Sequence, residues 1–220
     1  MRVLTWNLFH GRSVPDVPGP LLHAFARRLA GWEWDVALLQ EVPPWWPVPL
    51  ARATGAVERS VRTSRNQLLP LRRAVAARRP DIMKANGGGA NVILVRGATV
   101  VAHRARRLRI VPERRLVHAV RLGDGRWIAN LHAQSHPHAR TRADVALAGA
   151  AVLAWAGGAP ALLGGDFNVP DPAVPGFEDA GGHGMDRVLV RGLRPRGPAR
   201  TLPRHGLSDH EPVLVTVADN

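Results

Sequence analysis

Eight short apolar runs, several of them rich in β-branched residues, recur along the chain between loops, at 3–6, 36–39, 91–95, 115–122, 127–131, 161–163, 185–190 and 212–217. Runs of this length bounded by Gly, Pro, Asn and Asp read as strands. Helical signals are fewer. Leu21, Leu22, Phe25 and Leu29 stand at helical spacing within 20–31, and 139–156 combines few breakers with strong Ala propensity. A third, weaker helix at 67–78 carries a basic face. Gly123-Asp124-Gly125 between two strand runs signals a hairpin, so part of the sheet structure is antiparallel. Many strands, few helices and no break in the middle of 220 residues predict one α/β (α+β) domain over 1–220, with two sheets face to face and helices outside.

Composition narrows the chemistry. Apolar content of 45% with 22 Gly and 19 Pro describes a turn-rich globular chain rather than a disordered one. The lack of cysteine excludes a disulfide framework, a thiolate zinc site and a cysteine nucleophile. No signal peptide is visible before the first strand, which makes a cytoplasmic location the default expectation; oligomeric state is not readable from these residues, and a monomer is assumed by default. The uncharged stretch 145–165 is rich in Ala and Gly and interrupted by Gly157-Gly158-Ala159-Pro160, so it reads as a helix followed by a strand, not a transmembrane segment. A formal charge of +13 points to a polyanionic partner such as nucleic acid. Lys84 is the only lysine and Tyr is absent, a bias that compositional drift also produces, so charge alone does not name the partner.

Polar groups collect where the strand runs end. Glu41 closes the second run and offers the hard oxygen that Mg²⁺ or Mn²⁺ prefers. Asn7 closes the first, where it could add a neutral oxygen, hold Glu41 or form a turn. In Gly164-Gly165-Asp166-Phe167-Asn168, Asp166 and Asn168 can face one pocket while Phe167 turns inward; Asp166 would accept a proton from water, and the Asn168 amide would donate to a phosphoryl oxygen or orient Asp166. In Ser208-Asp209-His210, Asp209 is a candidate metal ligand and His210 a candidate phosphate contact, with Asp186 orienting its ring. His132 could stabilise the transition state or protonate the leaving oxygen. A Gly-x-Ser-x-Gly elbow, a Gly-x-x-x-x-Gly-Lys loop and HExxH spacing are all missing.

Taken in order, Thr5-Trp6-Asn7, Leu39-Gln40-Glu41, the 88–94 segment, Asn130-Leu131-His132, Gly165-Asp166-Phe167-Asn168, the 185–190 segment and Ser208-Asp209-His210 resemble the endonuclease/exonuclease/phosphatase superfamily across nearly the whole chain. The resemblance implies a four-layer α/β/β/α sandwich of two mixed sheets flanked by helices. It implies Glu41 as principal metal ligand assisted by Asn7 and Asp209, and Asp166 acting on the attacking water with support from Asn168. His210 with Asp186 would stabilise the pentacovalent phosphorus, and His132 would assist the leaving group. The tyrosine that some family nucleases add has no counterpart here. The expected activity is divalent-metal-dependent hydrolysis of a phosphodiester, with DNA or RNA favoured by the Arg-rich segments 62–79 and 104–115. The alternatives are a phosphatase or phosphodiesterase of a small-molecule or phospholipid ester, and an inactive Arg-rich nucleic-acid-binding module.

Overall fold

The computed structural model describes residues 1–63, 68–111 and 113–220. Its elements follow the order β1 (Arg2–Asn7), α1 (Leu22–Gly31), β2 (Val36–Val42), α2 (Pro47–Thr54), β3 (Val57–Arg62), α3 (Leu69–Arg78), α4 (Pro80–Met83), β4 (Ala90–Val95) and β5 (Val100–Arg109). The second half contains β6 (Arg115–Leu122), β7 (Trp127–His132), α5 (His138–Ala156), β8 (Ala161–Asp166), β9 (Glu178–His183), β10 (Asp186–Arg191), β11 (Leu193–Pro195), β12 (Arg200–Thr201) and β13 (Val213–Asp219).

These strands form two sheets. One runs β11-β13-β1-β2-β4-β3 with β12 beside β13, and the other runs β5-β6-β7-β8-β10-β9. β1/β2 and β7/β8 are parallel pairs, each joined by a helix, α1 or α5, while neighbouring pairs are antiparallel. Period-two alternation then assigns each apolar residue to a layer. Val3, Leu38, Ile93 and Val213 of the first sheet meet Ile128, Leu162, Val188 and Val190 of the second between the sheets. Leu4, Trp6, Leu39 and Leu94 point the other way, onto Phe25 and Leu29 of α1 and Leu50 of α2. Leu131, Leu163 and Leu189 likewise cover Val145, Ala148 and Val152 of α5. The result is the expected four-layer sandwich.

Several elements differ from the sequence expectation, for identifiable reasons. β3 and β5 lie at sheet edges and carry alternating Arg, Glu and Ser on a solvent face, which hid them as strands. Residues 104–109 of the Arg-rich segment 104–115 are therefore part of an edge strand. α2 carries two prolines in its first turn, where the missing N–H groups need no partner. The expected strand at 161–163 continues to Asp166, and those at 185–190 and 212–217 shift to β10 and β13. The weak helix of 67–78 is α3, with Gln67 outside the described residues. Among the described residues, no helix is long and apolar enough to cross a membrane.

Towards one end of the sandwich the layer between the sheets turns polar. Gln40 Nε2 donates to Asn130 Oδ1 across the sheets at 2.8 Å and to Thr5 Oγ1 at 3.3 Å. Asn130 Nδ2 donates to the carbonyls of Leu39 and Val92, each at 2.9 Å. All three side chains are buried. This cross-sheet bolt is the floor on which the site stands.

Candidate active site

Two residues beyond the floor, the same alternation brings Asn7 after Thr5, His132 after Asn130 and Asp166 after Gly164 to the mouth of the inter-sheet space. Gly165 makes this possible: at φ 140° a Cβ there would lie 1.9 Å from the Leu131 carbonyl oxygen of the neighbouring strand. Glu41 breaks the alternation, since the residue after inward-facing Gln40 should point to the helix layer. A register shift between Leu39 and Val42 and a left-handed φ of 51° turn it back into the cavity instead. Such a conformation costs about 1–3 kcal/mol in a non-glycine residue. Phe9, His10 and Asn168 also have positive φ and line the same cavity, so backbone strain concentrates at this one place.

The cavity has a volume of about 420 Å³. Asn7 Nδ2 donates to Asp166 Oδ2 at 3.1 Å, and the backbone N–H of Asn168 donates to Asp166 Oδ1 at 3.0 Å. The Asn168 side chain itself donates to the Ala133 carbonyl at 3.0 Å, so it orients Asp166 through its backbone. His132 Nε2 lies 3.5 Å from Asp166 Oδ2 and 3.7 Å from Glu41 Oε1. His210 Nδ1 lies 2.6 Å from Asp186 Oδ2, and its Nε2 faces Asp166 Oδ2 at 4.0 Å. Behind the imidazole, Ser208 Oγ donates to the Asn7 carbonyl at 2.6 Å and accepts from the His210 backbone N–H at 3.1 Å, tying the last loop to the first strand.

These contacts set different charge states. Burial and the neighbouring Asp186 push the Asp166 carboxyl up to about 7, against the opposing pull of His210, Asn7 and Asn168. Burial works against a charged His210, but the Asp186 hydrogen bond and the surrounding carboxylates raise it to about 9, leaving it cationic at neutral pH. His132 goes the other way: burial and the nearby Arg115 hold it well below the usual imidazole range, so it is neutral. Burial would raise Glu41 as well, yet contacts with His10, His132 and Asn7 hold it far below the ordinary carboxylate range and it stays ionised.

Asn7, Glu41, His132, Asp166, Asn168 and His210 thus share one cavity, with Asp186 directly behind His210. Asp209 does not join them. It is exposed and lines a neighbouring cleft with Asp186 and Arg204. Sequence reasoning missed His10, whose Nε2 lies 3.0 Å from Glu41 Oε2, and the buried Arg115, which lines the cavity and whose Nε has no hydrogen-bond partner among the described residues. His10 follows Asn7 by three residues, a proximity that was the one available signal. Ligand-type atoms of Asp166, Asp186 and His210 lie within 4.8 Å of one another and could hold a metal ion. Glu41 is a second candidate, an ionised carboxylate opening into the cavity beside the Asn7 amide.

Comparison with known proteins bears on the same span. A family model described as Endonuclease/Exonuclease/phosphatase family matches residues 4–210. No curated protein matches the sequence. Among solved structures, an endonuclease/exonuclease/phosphatase from Beutenbergia cavernae superposes with a TM-score of 0.76 at 18% identity, covering 100% of this chain and 71% of that one. A mannosyl-6-phosphatase from Bacteroides thetaiotaomicron gives 0.70 at 14% identity, covering 99% of each chain. TDP2 from Caenorhabditis elegans gives 0.66 at 18% identity, covering 99% of this chain and 74% of that one. At such identities the likeness speaks for the fold.

Proposed function

The chain belongs to the endonuclease/exonuclease/phosphatase family, and from that premise we propose that it hydrolyses phosphodiesters by in-line attack of water, with a divalent cation held at Glu41. The observation that carries this reading is the pairing of opposite charge states across one cavity. Asp166, poised near 7, faces a cationic His210 oriented by Asp186.

Asp166 accepts the proton of the attacking water, and hydrogen bonds from Asn7 and the Asn168 backbone fix its two oxygens for that task. His210, charged and held at Nδ1, presents Nε2–H to the phosphoryl oxygens as negative charge builds on them. His132 is neutral, which suits a hydrogen-bond donor to a phosphoryl oxygen better than an acid for the leaving group. Glu41 would supply the hard oxygen that Mg²⁺ or Mn²⁺ prefers, and Asn7, whose Oδ1 accepts the Phe9 N–H at 2.9 Å, would add a neutral oxygen through its second lone pair. The Asp166–Asp186–His210 cluster suits a cation less well, because the His210 ring is itself positive and its Nδ1 is committed to Asp186. A bound cation would neutralise phosphate charge and polarise the ester.

The phosphate-binding groups do not choose between diester substrates; the loops around them do. A phosphomonoester is the second reading, kept in view by the mannosyl-6-phosphatase among the structural neighbours. Purified protein with Mn²⁺ should turn over bis(p-nitrophenyl) phosphate, and Asp166→Asn should lower kcat/KM by roughly 10²–10⁴. Turnover that survives both EDTA and that substitution would overturn the mechanism.

A further inference from the structure

Thirteen large hydrophobic side chains are exposed among the described residues, and six of them sit on two segments that border the cavity mouth. Leu68, Leu71, Val75 and Ile82 belong to the stretch around α3 and α4; Ile110 and Val111 follow β5. Both segments reach the mouth. Lys84, just past α4, lines the cavity from one side, and Arg114 and Arg115 line it from the other. On α3, Leu71 and Val75 stand four apart and so share one side of the helix, and Leu71 is 63% exposed; Leu68 stands just ahead of the helix. Ile110 and Val111 are 61% and 71% exposed. Exposed aliphatic side chains gathered on two segments beside one cavity call for a partner.

The surrounding charge says which kind. Arg72, Arg73, Arg78, Arg79 and Lys84 accompany the aliphatic residues of 68–84 against one acid, Asp81, and β5 carries Arg104, Arg106 and Arg107, while Arg109 is paired with the buried Asp144 and Arg115 with Glu113. Aliphatic side chains interleaved with arginine fit the headgroup layer of an anionic bilayer, where buried hydrocarbon and surface charge act together. A nucleic-acid groove would instead offer polar and stacking groups between the cations. A second cavity, of about 250 Å³, shares His10 and Lys84 with the first and is walled by Pro20, Pro43, Trp45 and Met83, an apolar space beside the phosphate site.

We propose that the cavity mouth docks on an anionic lipid bilayer through the exposed aliphatic residues of the α3–α4 segment and the Ile110-Val111 tip, placing headgroup phosphodiesters over the catalytic groups. The choice of headgroup phosphodiesters rests on the phosphodiesterase reading of the cavity. The test uses the full chain with sucrose-loaded phosphatidylcholine vesicles, made with or without phosphatidylglycerol, and follows sedimentation and headgroup release in Mn²⁺. Partition should be about tenfold greater on the anionic vesicles, with headgroup released from them. Leu71→Asp/Val75→Asp and, independently, Ile110→Asp/Val111→Asp should each lower partition at least about fivefold. Turnover of bis(p-nitrophenyl) phosphate and the circular dichroism melt should stay unchanged in both.

Absence of partition, absence of headgroup release by protein that turns over the soluble diester, or partition that salt abolishes while both aspartate pairs leave it intact would each overturn the proposal. So would loss of duplex DNA binding in those variants with vesicle binding unaffected, which would make the rim a nucleic-acid interface. Turnover of the soluble diester without partition sinks the docking and leaves the catalytic reading standing. Partition without soluble turnover does the reverse.

Discussion

Asp166 and His210 face each other at 4.0 Å with charge states that hold together only over a limited pH range. The active form needs Asp166 ionised and His210 protonated, so kcat/KM should rise through about pH 7 and fall through about pH 9. A bound cation draws the acid limb lower. Asp186→Asn removes the hydrogen bond and the charge that raise His210, so the alkaline limb should move towards 6.5 and activity near pH 8 should drop about 10- to 100-fold. A pH profile of diester hydrolysis for the two proteins checks this. The placement of Asp209 leads to a second comparison. Because it is exposed in the neighbouring cleft and Glu41 opens into the cavity, Glu41→Gln should weaken Mn²⁺ binding by at least about tenfold in calorimetric titration. Asp209→Asn should change it less than about threefold; equal losses would return Asp209 to the metal.

At the scale of elements, position in the sheets decides how much the sequence reveals. The central strands β1, β2, β4, β7, β8 and β13 are apolar on both faces because both are covered, and their runs stood out in the residues alone. β3, β5 and β9 are edge strands whose solvent face carries Arg, Glu or Asp, so nothing in their pattern separated them from loops. The site shows the same division. Asp166, His210 and Asp186 were readable from motifs, whereas the contributions of His10 and Arg115 depend on how the first loop and β6 approach Glu41 and His132 in three dimensions. So did the opposite directions of adjacent Asp209 and His210, set by Ser208 at φ 63° and its hydrogen bonds. Gly165 offers the sharpest test of element geometry. Gly165→Ala forces a Cβ against the Leu131 carbonyl, and it should lower stability by about 3 kcal/mol or more while cutting activity through displacement of Asp166. Thermal melts and kinetics of the one variant report both.

For the whole molecule, the raised His210 couples folding to pH. Its folded value near 9 lies above the unfolded 6.5, so its contribution is complete below pH 6.5 and disappears as pH rises through 9. That difference is on the order of 3 kcal/mol, and the melting temperature should fall by several degrees across the window. In His210→Asn the decline should shrink to the part that the raised Asp166 carboxyl still contributes, as melts at pH 6 and pH 9.5 of the two proteins will show. The bolt between Gln40 and Asn130 acts on the same scale. It joins the strand that delivers Glu41 to the strand that delivers His132, so groups from both sheets move as one body beneath a rim made of separate segments. Replacement of those segments can retarget such a scaffold during descent while the hydrolytic centre stays constant, because novelty at the rim and inheritance at the floor are mechanically decoupled.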